Sequence, residues 1–74
     1  MRDRLKEILK RVLELGEVAD DISRQNCESW DSLKHLVLIV ELEAEFNISI
    51  EPEDIVAMNS LGEIEKRIDA LTKA

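Results

Sequence analysis

The stretch from Ser32 to Phe46, SLKHLVLIVELEAEF, limits the possible folds more than any other, because it is apolar on two sides. Wound as a helix, it places Leu38, Ile39, Leu42 and Phe46 on one stripe and Leu33, Leu36, Val37, Val40 and Ala44 on another. Lys34, Glu41 and Glu45 fill one gap between the stripes and Glu43 the other. A helix that is apolar all round normally lies at the centre of a larger protein, and a chain of 74 residues is too short to wrap one completely. One stripe must face the core. Part of the other, Leu33 and Val37 foremost, is expected to stay exposed and open to a partner. Leu36 is expected to be covered by the preceding loop and the first helix, with Val40 at the border between the two cases.

The residues before this helix define how it begins. In Trp30-Asp31-Ser32-Leu33, Asp31 is a good N-cap, since its carboxylate can accept from backbone N–H groups that the first turn leaves without partners. Ser32 then takes the first helical position, pointing away from the core, where a phosphate on its hydroxyl would meet unpaired N–H donors and the positive end of the helix dipole.

Three further helices follow from the rest of the chain. Leu5, Ile8, Leu9, Val12 and Leu13 have amphipathic spacing, with Asp3 as cap and Gly16 as stop, giving a first helix over about residues 3–15. Periodicity fades between Gly16 and Asp31. A loop that long needs pinning, which Val18 and Ile22 are expected to provide, through a short helical turn, with Trp30 anchoring the far end. After Phe46-Asn47, Ile48 and Ile50 dip toward the core, and Glu51-Pro52-Glu53-Asp54 reads as a helix start with Pro at the first position. Only a short helix fits before Asn59. Ser60-Leu61-Gly62-Glu63 has capping-box spacing and opens a last helix with an apolar face of Leu61, Ile64, Ile68 and Leu71. The predicted fold is all-α: one domain over residues 1–74, a small antiparallel four-helix bundle with a short third helix and a long loop between helices one and two.

Composition narrows the function. The chain is 45% hydrophobic but only 3% aromatic, so its core is aliphatic and an enclosed cavity of enzyme size is not expected. Cys27 is the only cysteine and His35 the only histidine, which excludes an internal disulfide and leaves no metal-ligand spacing. No signal peptide or membrane-length apolar run is legible, and a cytoplasmic monomer is the expectation. The net charge of −7 is unevenly spread: residues 1–13 carry five cations against two acids, whereas residues 14–65 carry fourteen acids against Arg24 and Lys34. An acidic middle repels nucleic acid and anionic lipid and attracts basic protein surfaces.

Ser32 and His35, three apart with Asp31 adjacent, invite a hydrolase reading. It lacks a strand-turn-helix elbow and the backbone donors of an oxyanion hole, and His35 falls on the core stripe as a structural histidine. The acids line solvated helix faces, and Cys27 has no base near it in sequence. What remains is a serine at a helix N-terminus, beside an exposed apolar strip, on an acidic bundle.

Asp31-Ser32-Leu33, followed by Leu36, Leu38-Ile39, Leu42-Glu43 and Glu45-Phe46, then Ile50 and the acidic turn Glu51-Pro52-Glu53-Asp54, resembles an acyl carrier protein. The resemblance implies that Ser32 is the attachment point for 4′-phosphopantetheine, donated from coenzyme A by a separate phosphopantetheinyl transferase. It also implies that the arm's thiol, not the protein, carries the chemistry, holding acyl groups as thioesters for acyl-loading and acyl-transfer enzymes. Helix two would then be the docking surface, with Leu33 as the apolar contact, Lys34, Val37, Val40 and Glu41 around it, and Glu43 and Glu45 further along. The chain departs from carriers of bulk fatty acid synthesis at Lys34 and Val37, where these usually have acids, and at Ser29, where many have Gly. The Trp-Asp-Ser-Leu-x-His-Leu form is similar to carriers of specialised lipid, polyketide or glycan-modifying pathways. An aminoacyl or peptidyl carrier, and a helical adaptor binding through Leu33, Val37 and Val40 with no prosthetic group, are the alternatives.

Overall fold

The computed structural model describes residues 1–73, which form four helices: α1 Arg2–Leu13, α2 Ser32–Phe46, α3 Pro52–Ala57 and α4 Leu61–Thr72. Their core is aliphatic, with Leu5, Leu9 and Leu13 from α1, Leu38 and Leu42 from α2, and Leu61, Ile64 and Ile68 from α4 all fully buried. Each such side chain contributes about 1.5–3 kcal/mol on leaving water. The ion pairs give the direction of packing. Arg4 near the start of α1 meets Glu45 near the end of α2 (2.8 Å), while Lys34 in the first turn of α2 meets Glu14 just past α1 (2.7 Å), so the two helices run antiparallel.

Helix ends follow local chemistry, and α1 differs from expectation at both. Its N-cap position is Met1, without a side-chain cap bond, and Asp3 lies inside the first turn. At the other end the left-handed residue is Glu14 (φ 56°, ψ 48°), and Leu15 N–H closes on Lys10 O at 3.0 Å. The helix therefore stops before Gly16 is reached. A left-handed conformation costs a non-glycine residue about 1–2 kcal/mol, and the Lys34 ammonium on the Glu14 carboxylate helps to hold it there. α2 ends as its sequence predicts: Asn47 is left-handed (φ 54°) and Ile48 N–H closes on Glu43 O at 3.2 Å. Pro52 opens α3, and Ser60 Oγ caps α4 by accepting from Glu63 N–H at 3.1 Å.

The connection over residues 14–31 contains no helical turn of the kind expected near Val18. Ile22 and Trp30 are buried and Val18 is half-buried, as predicted, but the backbone is pinned by a short antiparallel bridge between Ser23 and Ser60. Arg24 N–H donates to Asn59 O (2.9 Å) and Leu61 N–H to Ile22 O (3.0 Å). The second bond gives a partner to an N–H that the first turn of α4 would otherwise leave open.

That route corrects one expectation about α2. Because the loop is tied to the α3–α4 junction, it does not cross the second apolar stripe. Leu33, Leu36, Val37 and Val40 are 70%, 56%, 43% and 61% exposed. Leu36 and Val40 are thus not covered by the loop and α1, and the whole strip faces solvent.

Candidate functional site

Ser32 is positioned by what its neighbours do. Two residues before it, Trp30 is buried to 2% exposure and its indole N–H donates to His35 Nδ1 at 3.0 Å. Three residues after it, His35 is 4% exposed and its Nε2 lies 2.7 Å from Ile55 O on α3. An indole nitrogen only donates, so Nδ1 is the acceptor, the ring proton is on Nε2, and Nε2–H donates to the Ile55 carbonyl. Between these anchors Asp31 takes an extended conformation, its Oδ1 accepting from Lys34 N–H at 2.8 Å and its carbonyl from His35 N–H at 2.9 Å. With Trp30 and His35 turned inward, Ser32 is turned outward and its side chain is exposed.

The surroundings of that hydroxyl suit an anion. Asp31 satisfies Lys34 N–H, whereas the N–H groups of Ser32 and Leu33 have no carbonyl one turn back to accept them. They point along the positive end of a fifteen-residue helix. Arg24 Nη2 donates to Ser32 Oγ at 3.4 Å, and its Nη1 donates to Asn59 Oδ1 at 3.4 Å. Arg24 also forms one wall of a shallow open groove whose other walls include Gln25, Trp30, Asn59 and Glu63. A phosphate ester on Ser32 would displace no core atom and would find N–H donors and a guanidinium, so the residues fit such a group.

The structure brings together some of the sequence-predicted residues and diverts others. Leu33, Val37 and Val40 share one exposed strip, joined by Leu36. Lys34 is bonded to Glu14, and Glu41 is bonded to Arg11 at 2.6 Å, so both charges have partners within the chain. Glu43 turns back to accept from Ile50 N–H at 2.8 Å. His35 has both ring nitrogens engaged and buried, and cannot act as a base toward Ser32. Cys27 is half-buried beside Ser29 Oγ at 3.4 Å. Arg24 was missed by sequence reasoning, although a signal existed: it is the one cation between Glu14 and Asp31. Among the described residues no cluster of His, Cys, Asp and Glu could hold a metal ion, and no helix is long and apolar enough to cross a membrane.

Fold and site together define a carrier-type helical bundle, a small body presenting one serine hydroxyl at the head of its second helix. The chain belongs to the phosphopantetheine attachment site family, whose model matches residues 3–68. Its prosthetic group is accordingly covalently attached phosphopantetheine. The fold is similar to that of a chain assigned as an acyl carrier protein from Mycobacterium tuberculosis, with a TM-score of 0.84, 24% identity, and coverage of 93% of this chain and 95% of that one. It is equally similar to the holo acyl carrier protein from Geobacter metallireducens solved by NMR, with a TM-score of 0.84, 25% identity, and coverage of 95% of this chain and 83% of that one. No curated protein sequence matches the chain.

Proposed function

We propose that this chain is an acyl carrier whose 4′-phosphopantetheine is joined to Ser32. The observation that carries the reading is the exposed Ser32 hydroxyl at the first position of α2, with the helix N–H donors and Arg24 around it. In the attachment step Ser32 Oγ forms a bond to the phosphorus that coenzyme A links to pantetheine. The pyrophosphate bond breaks, 3′,5′-ADP leaves with the bonding electrons, and the serine proton passes to a base of the transferase. Once bound, the group supplies a thiol that holds acyl chains as thioesters. The protein itself catalyses nothing: it anchors the arm, caps α2 through Asp31, and offers Leu33, Leu36, Val37 and Val40 to the phosphopantetheinyl transferase and to acyl-loading and acyl-transfer enzymes. Lys34 and Glu41 flank that strip as internally paired charges. We place the carrier in the cytoplasm, in a specialised lipid, polyketide or glycan-modifying pathway, a reading supported by Ser29, Lys34 and Val37 at positions where carriers of bulk fatty acid synthesis differ.

Incubation with coenzyme A and a broad-range transferase should add one phosphopantetheine to the wild type and none to Ser32→Ala, read by intact mass. A wild type that stays unmodified, with partner binding untouched by Ser32→Ala, would favour an adaptor working through Leu33, Val37 and Val40 alone. The mass of the group loaded by the native partner separates an acyl from an aminoacyl or peptidyl carrier.

A further inference from the structure

We propose that Arg24 is the resident counter-ion of the phosphodiester at Ser32, so that the arm leaves the protein held between this guanidinium and the N-terminus of α2. The proposal rests on the Ser32 reading given above. Four of the five arginines are paired with carboxylates: Arg2 with Asp20 and Glu65, Arg4 with Glu45, Arg11 with Glu41, and Arg67 with Asp54. Among the described residues Arg24 has no carboxylate at ion-pair distance, although the chain carries a net charge of −7. The arginine without an acid is the one whose Nη2 lies 3.4 Å from Ser32 Oγ. An anion covalently delivered to that oxygen supplies the missing partner.

Arg24 is also held in place before any anion arrives. Its backbone N–H donates to Asn59 O at 2.9 Å and its Nη1 to Asn59 Oδ1 at 3.4 Å. The Asn59 side chain is in turn fixed by Nδ2 donating to Val56 O at 2.6 Å. The guanidinium therefore bridges the long loop, the α3–α4 junction and the head of α2. On attachment Ser32 Oγ becomes an ester oxygen, and the charged, non-bridging phosphate oxygens one bond further out become the better acceptors. A planar fork of N–H donors suits those oxygens, whereas a lysine would offer only a point charge.

The test compares unloaded and phosphopantetheine-loaded protein, with the wild type, Arg24→Gln and Arg24→Lys each loaded by coenzyme A and a broad-range transferase. In the wild type, the Arg24 side-chain Nε–H resonance should shift on loading, and the melting temperature should rise. In Arg24→Gln that rise, measured against the unloaded variant itself, should fall by at least half. Arg24→Lys should recover part of the rise, and molar salt should shrink it in the wild type. A wild type that accepts no arm overturns the Ser32 reading and this proposal with it. A loaded wild type whose Arg24 resonance is unmoved, or whose melting increment equals that of Arg24→Gln, overturns the clamp and leaves the carrier reading intact. Should Arg24→Gln fail to fold, the wild-type resonance decides alone.

Discussion

The Trp30 indole N–H and the His35 Nδ1, 3.0 Å apart and both buried, lock the end of the long loop to the first turn of α2. The rings are tilted by 34° with centroids 6.0 Å apart, so the bond and not stacking sets the geometry. Trp30→Phe keeps an aromatic ring but removes the donor, leaving a buried nitrogen without a partner and a gap beside it. Destabilisation of about 2–4 kcal/mol is expected from the two effects together, measured by urea unfolding. Nitrogen-15 spectra of the wild type should show His35 protonated at Nε2 and bare at Nδ1; the opposite tautomer would contradict the network.

Asp31 acts on the same turn from the solvent side. Its Oδ1 accepts from Lys34 N–H at 2.8 Å and is the side-chain cap of α2. Asp31→Ala should lower stability by about 0.5–2 kcal/mol, and Asp31→Asn, which keeps a side-chain oxygen, by much less. Urea midpoints of the two variants check this ranking. If alanine and asparagine behaved alike, the charge near the helix dipole would matter more than the hydrogen bond.

Much of this arrangement was legible in the sequence because it depends on local rules. The limits of α2, the Asp31 cap, Pro52 opening α3 and the Ser60–Glu63 cap of α4 are each set within a few residues, and each was predicted. So was the inward turn of His35, which the periodicity of the core stripe dictates. The end of α1 departs from the sequence expectation because Gly16 is the better left-handed residue by intrinsic preference, yet Glu14 adopts that conformation with its carboxylate on Lys34, twenty residues away. Leu36 and Val40 lie uncovered for a similar reason. Whether a loop crosses a helix face depends on where its middle is tied, and the Ser23–Ser60 bridge has no periodicity to announce it. Arg24 illustrates the same limit within the site, since its approach to Ser32 exists only once that bridge has formed.

The uncovered strip of α2 yields a prediction in which stability and recognition part company. Leu36 and Val40 are more than half exposed, so Leu36→Ser and Val40→Ser should each change unfolding free energy by no more than about 0.5 kcal/mol. If the strip is the docking face, the same changes should reduce kcat/KM for phosphopantetheine attachment about tenfold, the equivalent of ~1.4 kcal/mol of lost apolar contact. Parallel melts and loading assays make the comparison. Large losses of stability would mean that the strip belongs to the core after all, and unchanged loading by every transferase tried would remove it as a docking face.

Acid stability follows from three surface carboxylates. The Lys34 ammonium bonded to Glu14 holds that carboxyl below its ordinary 4.5. Lys6, with a smaller contribution from Arg2, holds Asp20 below its ordinary 3.8, and the Arg2 hydrogen bond holds Glu65 below 4.5. When the folded value is the lower one, the unfolded chain binds more protons between the two values. The stabilisation is then complete above the ordinary values and is lost as pH falls through the depressed ones. Glu14 and Asp20 are exposed and Glu65 is half-buried at the surface, so the decline should be shallow and should flatten in molar salt. Arg2→Gln removes the largest cause acting on Glu65 but leaves Lys6 beside Asp20 and Lys34 beside Glu14. Its urea midpoint should therefore fall less steeply than that of the wild type below pH 4.5 without becoming flat. Equal slopes for the two proteins in low salt would show that the Arg2–Glu65 pair is already broken by water in the folded state.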